Sequence, residues 1–350
     1  MRRILVVQIY ITDNCDQRCK HCYIFGADPN RKPNTMTLEQ FKEAVNLCIE
    51  YSERENVKIA WGITGGDPIL HPKFWEIMSF MREKRLDFVM IGNPFHMTEN
   101  IFTRLKECGC LQFQMSLDGL RENHDRNRKA GSFDATLSKI KLIHNAGLDS
   151  GIRTTVSHEN IWDIPGLIDL CAKYRVSDFD FSRYAPNGEG KNNIAPLDFR
   201  KLLDICYKKF QAYRKKGSWT RFYEGEHLFM LYKYEEGLLK LPENFDFRNR
   251  KTITGCSCGT ALKKMRILWD GTVMACRRTE DSYLGNIFHD SIEKIQSAKS
   301  CYRDINLYEG CRDCILASWC RGCPAVAYGQ YGNFFARDPQ CWKIINMCSK

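Results

Sequence analysis

The sequence predicts an α/β protein, a parallel sheet with helices between its strands, followed by a small cysteine-rich domain. Two observations carry this prediction. From residue 4 to about 186, six runs of strand character alternate with five of helical character. That is the pattern of βαβ units, whose crossovers are right-handed by default. After a polar stretch at 242–255 the chain becomes turn-rich and dense in cysteine. The division is therefore 1–241, a sheet domain with trailing helices, and 242–350, a cysteine-rich domain.

The first strand is ILVVQIYIT at 4–12, behind two arginines. It does not read as a signal peptide, because Gln8 and Tyr10 interrupt the apolar run and no small-x-small cleavage site follows. Further strands are expected at 57–64, 87–93, 111–118, 150–157 and 177–185, each rich in β-branched or aromatic residues and closed by polar or Gly/Pro punctuation. The first helix opens with a capping box, Thr37 and Gln40, and then spaces Leu38, Phe41, Ala44, Val45, Cys48 and Tyr51 at helical intervals. Helical patterns also occupy 72–84, 98–108, 133–147 and 164–174, and residues 198–241 read as helical again. An open doubly wound sheet and a full or partial barrel both satisfy this order.

The chain has 350 residues, 43% of them hydrophobic and 27% charged, enough to build a sizeable core in two domains. No run reaches membrane-spanning length. The net charge of +10 is dispersed, with only short basic clusters at 213–217 and 247–251. This favours a solvated basic surface over a nucleic-acid site. The expectation is a cytoplasmic protein with no nucleic-acid or membrane partner. Eighteen cysteines in such a chain point to metal or redox chemistry rather than disulfides.

Cys15, Cys19 and Cys22, spaced C-x3-C-x2-C, follow the first strand directly. In parallel α/β folds the loops at the carboxyl ends of strands carry the chemistry. Three thiolates leave a tetrahedral zinc one ligand short, and His21, adjacent to Cys22, is poorly placed to complete it. A [4Fe–4S] cluster held by three cysteines turns the shortage to use, because one iron stays open to a ligand.

This spacing after the first strand, with the aromatic Tyr23 next, resembles the signature of radical S-adenosylmethionine enzymes. The resemblance implies a partial (β/α)6 TIM-like barrel. It also implies that S-adenosylmethionine chelates the open iron through its amino and carboxylate groups and is cleaved to a 5′-deoxyadenosyl radical. TGGDP at 64–68 is similar to the family's Gly-Gly-Glu-Pro turn. Gly65, Gly66 and Asp67 are therefore expected near the methionine amino group, with Asp67 in place of the usual Glu. SLDGLRENHDRNRKAGSFD at 116–134 resembles the family's Ser-Leu-Asp-Gly…His-Asp-x-x-Arg…Gly-Ser-Phe stretch, implying that Ser116 and Arg128 hold the methionine carboxylate.

In the second region Cys256 and Cys258 precede a hairpin signal, RILW and VMAC around Asp270-Gly271-Thr272, which ends at Cys276. Cys311, Cys314, Cys320 and Cys323 follow, and Cys341 closes the set. C-x2-C pairs fit zinc ribbons; eight thiols with almost no nearby histidine also fit two [4Fe–4S] clusters. The order resembles the SPASM extension of radical enzymes, with two residues instead of three between Cys320 and Cys323. That resemblance implies a first auxiliary cluster on Cys258, Cys276 and Cys323, with Cys256 as the natural fourth ligand or, where Cys256 does not bind, an iron open to a substrate thiol, and a second cluster on Cys311, Cys314, Cys320 and Cys341. Three [4Fe–4S] clusters result. Cys48, Cys171 and Cys206 lie in helical patterns and are expected in the core, and Cys108 and Cys110 in packing.

SPASM proteins commonly modify peptides. Where sulfatase maturases carry an aspartate this chain has Arg277, which removes the base that formylglycine formation needs. The expectation is a maturase that forms a thioether or carbon–carbon crosslink in a ribosomal peptide. A peptide epimerase, a radical enzyme acting on a small molecule or cofactor precursor, and a zinc-stabilised binding protein are the alternatives. Strand one begins at residue 4, ahead of which no leader-binding domain fits, so a separate leader-binding protein is an expected partner. A flavodoxin- or ferredoxin-type electron donor is another. No catalytic acid or base stands out from sequence.

Overall fold

The computed structural model describes residues 3–25, 30, 32–186, 193–241, 264–279 and 281–343. Cys256 and Cys258 lie outside the described residues. The expected six strands are present: β1 (Arg3–Thr12), β2 (Val57–Gly65), β3 (Phe88–Ile91), β4 (Cys110–Ser116), β5 (Asp149–Val156) and β6 (Asp178–Arg183). Each is parallel to its neighbour in chain order. Helices α1 (Leu38–Arg54), α2 (Phe74–Glu83), α3 (Glu99–Glu107), α5 (Ser132–Asn145) and α6 (Ile164–Lys173) intervene. The Thr37/Gln40 capping box forms and starts α1.

Alternation along the strands divides the sheet into two faces. Val7, Ile9 and Ile11 of β1 are fully buried in the core, as are Phe41, Ala44, Val45 and Cys48 of α1. Phe113 of β4 meets Phe102 of α3 edge-on at 5.1 Å. The other face is polar, with Gln8, Gln114, Arg153 and Asp180 lining one chamber. Gln8 of β1 with Lys264 and Arg266 beside it, and residues of β4, β5 and β6 from across the sheet, line that chamber together, so the sheet is curled into a partial barrel.

Several features exceed the sequence expectation. A short helix, α4 (Arg121–Asn127), folds within the SLDG stretch. After α7 (Pro196–Lys215) a two-residue strand, β7 (Arg221–Phe222), extends the sheet beyond β6, and α8 (Phe229–Glu235) follows. The rings of Phe210 and Phe222 stack at 5.1 Å. The expected hairpin, β8 (Lys264–Ile267) with β9 (Thr272–Met274), is present. Gly271 turns it at φ +83°, where a Cβ would lie 2.3 Å from Phe288. Strand β8 also pairs in parallel with β1, placing Arg266 opposite Gln8. With β10 (Tyr283–Asn286), a single ten-stranded sheet therefore joins both cysteine-bearing regions. Helices α9 (Ile292–Ala298) and α10 (Pro324–Tyr331) complete the described elements.

Candidate active site

The Cys15–Cys22 loop leaves the carboxyl end of β1 and borders a cavity of about 200 Å³. Cys15, Cys19, Cys22, Tyr23, Gly65, Gly66, Ser116 and Arg128 all line it. The thiols sit in an apolar setting: burial raises Cys15 to about 12, against hydrogen bonds from the Gln17 N–H and the Asn93 amide. Burial also raises Cys19, opposed by the Arg128 guanidinium. Such thiols ionise when a cationic centre compensates them. Among the described residues no three cysteine sulfurs lie within 4.8 Å of one another. A tetrahedral zinc with Zn–S of about 2.3 Å needs sulfurs about 3.8 Å apart. Three buried thiols around one cavity are the donor set that a [4Fe–4S] cluster with one open iron would use.

Gly65 and Gly66 stand where β2 presses against the exit of β1. A Cβ at Gly65 would lie 2.1 Å from the Thr12 carbonyl oxygen, and one at Gly66 2.4 Å from that of Asn14. The backbone N–H groups of Gly66 and Asp67 donate to those two carbonyls at 2.7 Å each. Asp67 is buried behind the turn and is not a cavity wall. Its Oδ1 accepts from the Asn93 N–H at 3.4 Å, and burial raises its carboxyl to about 6.

On the opposite wall Arg128 faces the cavity through a buried pin. Its Nε donates to Asp118, which also accepts from the Thr155 N–H at 2.7 Å and meets His21 Nε2 at 3.3 Å. Burial alone would raise Asp118, but the charge of Arg128 prevails and holds it low. His21 is therefore tied to Asp118. Asp118 and Asn93 were not singled out from sequence. Asp118 lies inside the quoted SLDG motif, and Asn93 ends a strand at the carboxyl edge, so both carried a signal. Asn93 Nδ2 donates to Cys15 Sγ at 3.2 Å.

Family models match residues 9–171 as the radical SAM superfamily and 256–324 as the SPASM iron–sulfur cluster-binding domain. The chain is a radical S-adenosylmethionine enzyme with a C-terminal SPASM domain. Its relatives include an AdoMet-dependent heme synthase of Nitratidesulfovibrio vulgaris, 26% identical over 345 residues, spanning 95% of this chain and 90% of that protein. The antilisterial bacteriocin subtilosin biosynthesis protein AlbA of Bacillus subtilis is 25% identical over 325 residues, spanning 89% and 65%. Among solved structures, anSMEcpe with bound AdoMet shares the fold at a TM-score of 0.74 and 17% identity, covering 99% of this chain and 92% of that one. Among the described residues no helix is long and apolar enough to cross a membrane.

The radical SAM and SPASM domains meet at a second chamber of about 320 Å³, directly inside the barrel. Arg278 lines both it and the first cavity. Cys276 and Cys323 come together here, and Arg278 Nη2 donates to Cys323 Sγ at 3.4 Å. Arg277, next to Cys276, lies over the rings of Tyr23 at 4.9 Å and Tyr10 at 5.8 Å. Cys311, Cys314, Cys320 and Cys341 gather separately. Burial raises Cys311 to about 12, with the charges of Cys341 and Cys314 adding to the rise, and raises Cys341 to about 11, with Asp338 and Cys314 adding to it. Cys48, Cys171 and Cys206 are buried in the core.

A buried ion network ties the end of β6 to the segment that follows Cys323. Arg183, at the end of β6, donates to both carboxylate oxygens of Asp338, to Glu226 and to Gln340. Asp338 Oδ2 in turn accepts from the Cys323 N–H at 2.8 Å.

Proposed function

We propose that this enzyme matures a ribosomally made peptide, forming a thioether or carbon–carbon crosslink by radical oxidation. The observation that carries the reading is that the two chambers are neighbours and share Arg278 as a wall. A substrate held there lies between the Cys15–Cys22 loop and the Cys276/Cys323 pair. Hydrogen removal at one end and electron removal at the other are the two halves of an oxidative crosslink. A relative that takes part in bacteriocin biosynthesis supports a peptide substrate.

In this reading Cys15, Cys19 and Cys22 hold the cluster that cleaves S-adenosylmethionine, which supplies hydrogen-atom abstraction. Tyr23, Gly65, Gly66, Ser116 and Arg128 form the walls around S-adenosylmethionine, with Arg128 aimed by Asp118 at its carboxylate. Asp67 contributes through its backbone and through packing behind the turn. Cys276 and Cys323, with Cys256 and Cys258, hold a first auxiliary [4Fe–4S] cluster. Cys311, Cys314, Cys320 and Cys341 hold a second. A flavodoxin- or ferredoxin-type protein delivers the electron, and a separate protein presents the peptide leader.

A second reading, oxidation of a carboxylate-bearing small molecule, is favoured by two observations. Arg153, Lys264, Arg266 and Arg278 all line the inner chamber, and a relative is a heme synthase. The experiment is an anaerobic reaction of the reconstituted enzyme with S-adenosylmethionine, a reductant and the short peptide encoded nearest its gene. Loss of two hydrogens, mapped to one linkage, establishes the crosslink. An unchanged mass with one deuterium gained in heavy water means epimerisation. Released 5′-deoxyadenosine with unchanged peptide transfers the case to the small-molecule reading. Absence of 5′-deoxyadenosine from protein with intact clusters refutes radical chemistry.

A further inference from the structure

The inner chamber is lined by two carboxylates in different states, Asp180 and Glu226. Glu226 is committed: Oε1 accepts from Arg183 Nη2 at 2.8 Å and Oε2 from the Arg183 N–H at 3.4 Å. Asp180, on β6, is held on one side only. Its Oδ1 accepts from the N–H groups of Phe181 at 2.9 Å and Gly225 at 3.3 Å. Its Oδ2 has no hydrogen-bond or ion-pair partner among the described residues and opens to the chamber. The space beside that oxygen exists because residue 225 is glycine, where a Cβ would lie 2.3 Å from Oδ2.

An oxidative crosslink releases a proton as well as an electron, and Arg277 cannot accept a proton. We propose that Asp180 is the general base of the reaction, its Oδ2 taking the proton that the substrate releases as the crosslink forms. This rests on the peptide reading above. One substrate carbon loses a hydrogen atom to the deoxyadenosyl group. The resulting carbon radical bonds to a second substrate atom whose bond to hydrogen breaks. That hydrogen leaves as a proton to Asp180, and one electron leaves to an oxidised iron–sulfur acceptor at the Cys276/Cys323 end.

The charge around Asp180 suits the task. Arg153 from β5, Lys264 and Arg266 from β8, and Arg278, Glu226 and His227 also line the chamber. Burial raises the carboxyl to about 6, against the pull of Arg153 and the two backbone amides. It is thus ionised at neutral pH yet basic enough to hold a proton.

The test compares the wild-type holoenzyme with Asp180→Asn and Gly225→Ala, using S-adenosylmethionine, a reductant and the peptide encoded nearest the gene. Asp180→Asn is expected to slow crosslinking by about 100-fold or more, with peptide affinity unchanged and more 5′-deoxyadenosine released per crosslink. The wild-type rate is expected to fall below pH of about 6, and this limb to vanish in the variant. Gly225→Ala, whose methyl group displaces Oδ2, is expected to reproduce the loss without removing the carboxylate. Wild-type crosslinking by Asp180→Asn, or a rate loss matched by lost peptide binding, overturns the assignment and leaves the peptide reading standing. A wild-type enzyme that leaves the peptide unchanged removes the peptide reading, and the assignment with it.

Discussion

Replacing Arg183 with methionine strikes the buried network that ties β6 to the Cys323 region. The guanidinium contacts Asp338 at 2.5 and 2.7 Å, Glu226 at 2.8 Å and Gln340 at 2.9 Å. The side chains of Arg183, Glu226 and Asp338 are 0%, 2% and 1% exposed, so solvent does not screen them. Methionine fills similar volume without charge and leaves two buried carboxylates uncompensated. Breaking a buried pair from one side costs about 3–5 kcal/mol, and two orphaned acids place Arg183→Met toward the upper end. The pH dependence gives an independent check. Burial alone would raise Glu226 and Asp338, but the charge of Arg183 prevails and holds both below the usual carboxylate range. In the wild type they therefore stabilise the fold above pH of about 4, and that contribution is lost as pH falls through their depressed values. In the variant, burial prevails and the acids bind protons more readily than in the unfolded chain. The gap between the two proteins therefore narrows from about pH 7 to about pH 5. Anaerobic urea unfolding at both pH values measures it. A cost below about 1 kcal/mol at neutral pH, or a gap that does not narrow, refutes the reasoning. Iron content should fall as well, because Asp338 anchors the Cys323 backbone.

Two further outcomes follow from the same geometry. Asn93→Ala removes the donor to Cys15 Sγ; a lost hydrogen bond of about 0.5–1.5 kcal/mol makes the cluster potential roughly 20–60 mV more negative, read by an EPR-monitored redox titration. An unshifted potential contradicts the contact. His124 is buried, accepts from the Asp118 N–H at 2.9 Å, and is lowered to about 4 by burial and then by Arg128. The unfolded histidine charges below pH of about 6.5 while the folded one stays neutral, so stability falls by up to about 3 kcal/mol between there and about pH 4. His124→Asn should flatten that slope in acid-side unfolding curves; an unchanged slope assigns it elsewhere.

Much of the barrel was legible because its signals are local. The first strand, expected at 4–12, runs Arg3–Thr12, and the first helix starts at the Thr37/Gln40 box. Helix α4 was not legible, since RENHDRN buries only His124 and so presents no apolar stripe. Strand β7 has two residues and no period to read. For Asp180 a signal existed: in DFDFSR, Asp178 and Asp180 alternate with Phe179 and Phe181, which marks a strand with one polar face.

By itself the sequence determined the α/β class, the radical SAM cysteine loop at the end of the first strand, and the SPASM spacing, because element periodicity and ligand spacing are properties of neighbouring residues. The tertiary structure decided what lies between the two cysteine groups. The pairing of β8 with β1 joins residues more than two hundred positions apart. The curl of the sheet then brings Arg153, Asp180, Arg266 and Arg278 around one chamber. The same closure converts Arg183, Glu226 and Asp338 from three charged letters into a buried joint. Such effects come from long-range packing and the exclusion of water, which no local pattern encodes.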